Sequence, residues 1–495
     1  MPAPGARTAE LRDAVGDIAK TLFGERMTTL NENHAFYNYY MKELRTKHVG
    51  GGTTLHYRPS VLEQRDTVRN VSMGSFAESE FLGDPGKRTG DQVTIPIYYH
   101  YGATQLTGPA MAALEASEDA FVSEISRQVN GLTDDFERWL DIMLMNDGNG
   151  AYCWSNSSTS TSGSTHTMRE LWWNPPTSVI DINRPIQMVG MNDGAYEVNT
   201  ASVAVRSVKA KTNTSLTFNT STHTGFVDTT DKLIGFASRA DTTTTVVTDL
   251  GDLDATNEYD VKRQMPGITA IAMWQGNLIG DANAKPDRSA TVYYDPNQNE
   301  LTIQISGSAN RLFGVNRNTD ANFHADVQWA ATPGYIEPLT KEKLMRMWLY
   351  IHETRGKNMA DYDVWTSPKV LADYHMMGDA KRFLAGMDET IELGITGTDP
   401  KKGTNKGVAI HGRPIRTDPY WPTRTIAMLH RPSLFRCTLG PKTPEPLYAP
   451  GHSSPWHFEH DYDAQTFRLY FYSSLGCSVP QNHCSIQNLA LTLEV

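Results

Sequence analysis

One stretch, from Thr107 to Asn149, keeps a single hydrophobic period for longer than any other part of the chain. Its apolar residues recur at steps of three, four or seven, which places them on one face of a helix while the opposite face is charged. Thr107 is a suitable N-cap, and Asp147-Gly148 gives a stop. The pattern predicts one long helix with an apolar stripe at Leu114, Phe121, Ile125, Val129, Leu132, Phe136, Leu140 and Met143, of which Phe121, Ile125, Val129, Phe136 and Leu140 are the expected core face.

A helix of about 35 residues would be roughly 50 Å long, since each residue adds about 1.5 Å. That length exceeds the diameter of a small domain, which favours a helix that links the parts of a flat or elongated subunit. The alternative is an ordinary long helix in a protein core, with Gly131 allowing a break into two shorter helices.

Residues 8 to 45 also have a helical pattern, with one apolar stripe at Leu11, Val15, Ile18 and Leu22. An aromatic patch follows at Phe36, Tyr37, Tyr39 and Tyr40. A helical arm with such residues must bury them, either against its own chain or against a neighbouring one. Both interpretations stay open from the sequence.

The chain becomes β-like after Gly50-Gly51-Gly52, and its clearest strand runs from Gln92 to Gly102. Pro96 cannot donate a hydrogen bond, so this strand should lie at a sheet edge or in a two-stranded ribbon. The polar turn from Gly83 to Gly90 predicts a long hairpin with a basic tip. A phosphate-binding loop is excluded there because Arg88, not Ser or Thr, follows Lys87.

Short alternating stretches between residues 179 and 264 predict a compact all-β module. Pro175-Pro176 and Pro266-Gly267 read as its boundaries. From Pro338 a helical period returns and ends at Gly356, and the buried strand YDVWTS and several further strands follow. The predicted fold class is therefore α+β, with one β module inserted into the second half.

Composition narrows the class of protein. The 495 residues are 39% hydrophobic, which is enough for several buried cores, and the net charge of −11 argues against a dedicated nucleic-acid binder. Four scattered cysteines do not form a disulfide framework, which favours a reducing compartment. No apolar run is long enough for a membrane span or a signal peptide, so we expect a soluble protein with no membrane partner.

Two groups of residues leave an enzyme as an alternative. Alternation along HFEHDYD places residues 457, 459 and 461 on one strand face and His460 on the other, so a three-ligand metal site would need help from elsewhere. Cys477 and Cys484 are not accompanied by a second pair of cysteines at a zinc-ligand spacing, so structural thiols are the simpler interpretation. The two groups are His452, His457, Glu459, His460 and Asp461, and Cys477, His483 and Cys484.

The order of these elements resembles the major capsid proteins of tailed bacteriophages, which have the Hong Kong 97-like fold. The resemblance rests on a helical arm, an extended hairpin that ends in a VTIP strand, one long helix, an LMNDGNG turn, and an α+β region containing VWTSPKVLADY and HGRPI. It covers nearly the whole chain.

The resemblance implies a division of the chain into the parts of that fold. It implies an N-terminal arm, an extended β-hairpin loop, the spine helix of a peripheral domain, an axial domain, an inserted β-barrel-like domain, and terminal strands that complete the peripheral and axial domains. The respective ranges are 1–50, 51–106, 107–150, 151–178 with 266–440, 179–265, and 441–495.

The function that the resemblance implies is assembly without enzymatic activity or a cofactor. Copies would form hexamers and pentamers of an icosahedral or prolate head that encloses double-stranded DNA without reading its sequence. Partners would include a scaffolding protein, a portal and in some relatives a decoration protein, with assembly in the host cytoplasm before maturation of the procapsid. The expected intersubunit contacts are Asp84, Lys87 and Arg88 in the hairpin and Phe36, Tyr37 and Tyr40 in the arm. A virion decoration or tail protein remains an alternative.

Overall fold

The computed structural model describes part of the chain. These residues are 34–48, 60–69, 88–107, 118–146, 151–155, 165–170, 173, 175–181, 185–192, 195–197, 205–218, 232–236, 265–273, 290–295, 300–305, 311–313, 315–316, 325–329, 337–354, 356–374, 398–399, 404–410, 413–448, 455–458, 464–487 and 489–492.

Three α-helices have defined bounds among the described residues: α1, Ala35–Asn38, α2, Glu118–Met145, and α3, Lys341–Leu349. Residues 368–374 are also α-helical. A π-helical turn continues α1 over Tyr39–Glu43, another continues α3 over Tyr350–Thr354, and a third lies at Thr269–Met273. Short 3₁₀ turns lie at Met359–Asp361, Arg431–Ser433 and Pro480–Asn482. Among the described helices, none combines the length and the apolar character that a membrane span requires.

The described strands are, in chain order, β1 Arg45–His48, β2 Ser60–Arg69, β3 Arg88–Pro96, β4 Tyr98–Thr107, β5 Ala151–Ser155, β6 Thr165–Thr167, β7 Arg169–Glu170, β8 Pro185–Asn192, β9 Ala195–Glu197, β10 Val205–Lys211, β11 Ser215–Phe218, β12 Lys232–Phe236, β13 Ala290–Asp295, β14 Glu300–Ile305, β15 Arg311–Leu312, β16 Val315–Asn316, β17 Asp326–Trp329, β18 Tyr362–Thr366, β19 Thr398–Asp399, β20 Thr404–Ile410, β21 Arg413–Thr417, β22 Ile426–His430, β23 Leu434–Thr438, β24 Glu445–Pro446, β25 Trp456–Phe458, β26 Ala464–Cys477 and β27 Cys484–Gln487. Strands and helices together make the protein a mixed α+β structure.

The long strand β26 organises a six-stranded sheet. Strands β4, β23, β24 and β25 all pair with it in the antiparallel sense, and β1 pairs with β23 in the parallel sense. The β4 ladder runs from Tyr98 opposite Ser473 to Thr107 opposite Ala464. This ladder includes Thr107, the predicted N-cap of the long helix, and the described part of that helix begins at Glu118.

Helix α2 packs across this sheet through the predicted face. Ile125, Val129, Phe136 and Leu140 are each at most 3% exposed, whereas the side chain of Phe121 lies outside the described residues. Close approach requires Gly102 in β4, because a Cβ atom there would lie 3.0 Å from Phe136 Cδ2 and 3.1 Å from Leu132 Cδ1. The described helix shows no break at Gly131, which is exposed.

A seven-stranded mixed sheet forms a second layer, in the order β17-β27-β22-β18-β21-β20-β19. All five residues of β18 are buried, as the YDVWTS pattern predicts. Helix α3 contributes Leu344, Met347 and Ile351 to the same hydrophobic cluster, which confirms the helical period in this part of the chain. Thr340 caps the helix by accepting a hydrogen bond from the amide of Lys343. The chain then leaves the helix at Gly356, whose φ of 56° suits glycine.

An eight-stranded sheet contains the strands of the predicted inserted module. Its order is β6-β11-β10-β8-β12-β5-β7, with β9 on β8. The predicted boundary at Pro175-Pro176 is wrong for this sheet, because β5, β6 and β7 precede it and still pair within it. Local composition did not reveal this, because β5 pairs with β12 across roughly 80 residues of chain.

The eight-stranded sheet predicts how two fragments will behave. A fragment of residues 148–265 keeps the neighbours of β11 and β12, whereas 179–265 lacks β5, β6 and β7. We expect the longer fragment to unfold cooperatively and the shorter one to show a lower and broader transition, because unpaired strands lose both hydrogen bonds and packing. Circular dichroism during heating measures both. Equal transitions would place the boundary back at residue 179.

Candidate functional site

The hairpin formed by β2 and β3 is a two-stranded ribbon. Its ladder runs from Ser60 opposite Pro96 to Arg69 opposite Arg88, and within the described ranges neither strand pairs with any other. Ten strand residues extend for about 30 Å. The ribbon confirms the interpretation of Pro96 as a residue of an edge or a two-stranded structure.

The base of the ribbon is fixed in the protein core. Ile95 and Ile97 have no exposed surface, and Ile95 lies beside Gly476, where an added Cβ would be 2.9 Å from Ile95 Cδ1. Beyond this base the ladder has no third strand among the described residues. A two-stranded hairpin is only marginally stable in water, and its open edges are suited to contacts with another chain.

The register of the β2–β3 ladder partly corrects the predicted position of the hairpin tip. Arg88 and Gly90 belong to β3, where they pair with Arg69 and Asp66. The turn therefore lies between residues 69 and 88, a connection outside the described residues. Asp84 and Lys87 lie in that connection, so their expected contacts stay a proposal.

A patch of tyrosines lies on the sheet face opposite α2; we call Tyr99, Tyr101, Tyr470 and Tyr472 the tyrosine face. Tyr99 and Tyr101 are 44% and 55% exposed, although both are large aromatic residues. The hydroxyl groups of Tyr101 and Tyr472 lie 2.9 Å apart, and the ring centroids of Tyr99 and Tyr472 are 4.9 Å apart. Sequence reasoning missed this patch, although the repeated tyrosines of IYYHYG and LYFYSS are its signal.

The aromatic patch of the arm, which we call the aromatic segment (residues 34–40), packs against its own chain. Phe36, Tyr37 and Tyr40 are at most 1% exposed. The Phe36 ring meets Trp365 edge-on at 5.0 Å and lies 5.6 Å from Trp421. The expectation that these three side chains contact a neighbouring subunit is corrected, because they have no surface left to offer.

Residues 34–48 connect the two main sheets. On one side β1 pairs with β23 of the six-stranded sheet. On the other side Tyr39 donates a hydrogen bond to Asp363 in β18, and Glu43 receives two from Arg416 in β21, at 2.8 and 2.9 Å. The segment therefore connects strands β18, β21 and β23, each of which lies more than 300 residues further along the chain.

Two buried aspartates receive successive backbone amides of the aromatic segment. The amide of Phe36 donates to Asp418 Oδ2 at 2.9 Å, and the amide of Tyr37 donates to Asp141 Oδ1 at 3.1 Å. Because Phe36 and Tyr37 are consecutive residues, the two carboxyl groups that accept from their amides lie next to each other. Burial raises the pKa of Asp141 to about 8 and raises that of Asp418 well above its usual range.

Two further titratable groups border this carboxyl pair. Glu137 is 1% exposed, and neither of its carboxyl oxygens has a hydrogen-bond partner among the described residues. Burial raises the pKa of Glu137 to about 7. His34 Nδ1 lies 3.3 Å from Asp141 Oδ2, and burial lowers the pKa of His34. Sequence reasoning missed the cluster, although an aspartate inside the apolar run WLDIMLM is a signal for it.

The residues considered for metal binding do not form a metal site where the structure describes them. Cys477 Sγ and His483 Nε2 lie 3.2 Å apart, both buried, and His457 Nε2 lies 2.7 Å from the carbonyl oxygen of Leu447. Cys484 is buried in β27. No group of three or more His, Cys, Asp or Glu side chains among the described residues has metal-binding geometry. His452, Glu459, His460 and Asp461 lie outside the described residues.

Comparison with known proteins finds similar structures but no similar sequence. No protein-family model and no curated protein matches the chain. Three similar solved structures are the capsid asymmetric unit of cyanophage A-1(L), the capsid of a native GTA particle, and the procapsid of satellite phage P4 with its size determination protein. The similar structures are capsids. Their sequence identities are 11%, 8% and 8%, their TM-scores are 0.48, 0.40 and 0.36, and the matches cover 92%, 92% and 96% of this chain and 93%, 91% and 92% of theirs.

Proposed function

We propose that this protein is a structural capsid subunit with the Hong Kong 97-like fold, which assembles as hexamers and pentamers into a phage head. The observation that carries the proposal is the ribbon of β2 and β3, which is fixed at its base and has no third strand among the described residues. The three solved structures that are similar to this chain are described as capsids and a procapsid, and we propose that this chain is likewise a capsid subunit.

The ribbon explains why the subunit would need neighbours. A strand pair about 30 Å long exposes two open edges and gains little stability from its own chain. When it lies on an adjacent subunit, the same contact recurs at every interface of a closed shell. The tyrosine face is a suitable receiving surface, because exposed tyrosines combine a large apolar area with a hydroxyl group and are enriched at interfaces.

The parts of the fold then have distinct roles. Helix α2 is the spine helix of a peripheral domain built on the six-stranded sheet, and the seven-stranded sheet with α3 is the axial domain. The eight-stranded sheet is the inserted domain, with its start moved to about residue 151. Strands β24 to β26 complete the first sheet and β27 completes the second, which supports the proposal that the C-terminal residues belong to both domains.

The net charge of −11 fits the enclosure of double-stranded DNA. An acidic shell does not bind the phosphate backbone tightly, so packaged DNA can move during packaging and ejection. Binding would be independent of base sequence. A scaffolding protein, a portal and a decoration protein are the further partners proposed, with assembly in the host cytoplasm.

Shortening the ribbon tests the proposal. Residues 66–90 are replaced by Asn-Gly, which joins the paired residues Arg65 and Asp91 by a two-residue hairpin turn. We expect the isolated subunit to keep its melting temperature within about 4 °C, since roughly 2–4 °C corresponds to 1 kcal/mol for large domains. Particle formation, observed by negative-stain electron microscopy, should be lost.

The matched control is Thr214→Gly in the exposed turn between β10 and β11, which should leave particles unchanged. Normal particles from the shortened variant would refute the assembly role of the ribbon. Unfolding of its isolated subunit would show that the ribbon belongs to the internal core. Tubes or small rings from the unaltered chain would favour a tail or decoration protein.

A further inference from the structure

We propose that the carboxyl pair Asp141–Asp418 is a proton-dependent latch that holds the aromatic segment against the body of the subunit. With one proton shared between the two carboxyl groups, the segment stays docked. When both carboxyl groups are ionised, it is released. The latch acts within one chain, so the inference does not rest on the proposed capsid function.

The latch is formed by three parts of the chain that meet at one point. Asp141 lies on α2, Asp418 follows β21, and the amides of Phe36 and Tyr37 approach from the aromatic segment. Neither carboxyl group has any exposed surface. Asp418 also accepts a hydrogen bond from the amide of Tyr420 at 2.8 Å, which fixes its orientation. Docking of the aromatic segment therefore brings its two amides directly onto the carboxyl pair.

The contact between the carboxyl groups requires a proton. A carboxylate only accepts hydrogen bonds, so two carboxyl groups bond to each other only when one of them carries hydrogen. Two negative charges next to each other in a fully buried site repel strongly, which keeps one proton on the pair.

The surrounding charges do not replace that proton. His34 is the basic side chain within ion-pair distance of the pair in the described structure, and burial lowers the pKa of its imidazole. Arg138 is bound to Asp181 and to the hydroxyl of Tyr420. The groups that face the cluster are His34, Tyr37 and Lys42 from the N-terminal part, Asp134, Glu137 and Arg138 from α2, Tyr420 after β21, and Arg436 from β23.

The direction of the pH dependence follows from the raised pKa values. Burial raises the pKa of Asp141 to about 8, above its ordinary value near 4, so the docked state binds a proton that the released state has lost. Between about pH 4 and pH 8, docking therefore weakens as pH rises, because the released state carries fewer protons than the docked state. The contribution is complete below about pH 4 and is lost as pH passes 8. Glu137, with a pKa of about 7, acts in the same direction.

Hydrogen exchange on the full-length chain tests the latch. We expect the amides of residues 36–40, corrected for intrinsic exchange rates, to lose protection by about tenfold or more between pH 6 and pH 9, since one pKa unit corresponds to a factor of ten. Amides of the buried strand β18 provide the internal reference. A flat profile for residues 36–40 would overturn the proposal.

Asp141→Asn separates the latch from a purely structural role. The asparagine amide can donate to Asp418 at every pH and its oxygen can accept from Tyr37, so protection of residues 36–40 should become less dependent on pH, with only the contribution of Glu137 remaining. The matched control is Asp135→Asn, an exposed position on the same helix, which should leave the profile unchanged. An unaltered pH profile in Asp141→Asn would overturn the proposal.

If Asp141→Asn does not fold, an infrared measurement on the unaltered chain tests the shared proton instead. A protonated carboxylic acid has a C=O stretch distinct from that of a carboxylate. We expect this band at pH 7 and its loss in parallel with amide protection as pH rises to 9. Absence of the band at pH 7 would refute the shared proton.

Discussion

Phe136→Asp is expected to prevent folding of the subunit. Phe136 is 3% exposed and packs against Gly102 of β4 and the ring of Trp139. The substitution removes a buried ring and places a carboxylate in this apolar contact. Each effect costs several kcal/mol, and together they exceed about 5 kcal/mol, the lower end of the stability of natural domains. Soluble yield and the melting temperature measure the result.

Gly131→Asp is the matched control for this prediction. It introduces the same carboxylate on the same helix, but Gly131 is exposed and an added Cβ there meets no atom within 4 Å. Aspartate is also the better helix former of the two, so we expect a change within about 0.5 kcal/mol. A soluble Phe136→Asp subunit with a normal melting temperature would mean that the helix face identified from the period is not a core face.

The helix face shows which parts of this structure sequence reasoning can reach. Its period of 3.6 is a local property, and the same residues face the sheet in the structure. The strand pairing before the helix was not reachable in this way. The sequence shows that Thr107 has the chemistry of an N-cap, but it does not reveal that the backbone of Thr107 pairs with Ala464, more than 350 residues away.

The aromatic segment shows the same limit for the candidate site. Its sequence indicates that the aromatic rings must be buried, but it does not reveal the partner. The partners are Trp365, Trp421 and the two aspartates, all distant in the chain. The carboxyl pair was missed for the same reason, because Asp141 is unusual in its apolar run but nothing local reveals that Asp418 lies beside it.

Asp363→Ala is expected to destabilise the subunit by about 3 kcal/mol or more. Asp363 is 6% exposed and lies in β18, where it accepts hydrogen bonds from Arg431 Nε at 2.8 Å, Arg431 Nη2 at 2.6 Å and the hydroxyl of Tyr39 at 3.1 Å. Arg416 Nη2 lies 3.8 Å from the same carboxylate. Alanine leaves the Tyr39 hydroxyl buried without this acceptor and two guanidinium groups without their shared carboxylate. Thermal unfolding measures the loss.

The control for Asp363→Ala is Glu342→Ala, which removes a carboxylate–arginine pair of similar geometry at the surface. The Glu342–Arg346 pair has a distance of 2.7 Å, but its side chains are 74% and 67% exposed. Solvent screening limits such a pair to less than about 1 kcal/mol, so Glu342→Ala should leave the melting temperature almost unchanged. Because Asp363 also fixes Tyr39 of the aromatic segment, Asp363→Ala should in addition lower the exchange protection of residues 36–40 at pH 6. Equal melting temperatures for the two variants would show that the buried network contributes no more to stability than an exposed ion pair. Residues 34–48 would then hold the sheets together through their aromatic contacts, the Glu43–Arg416 pair and the β1–β23 pairing.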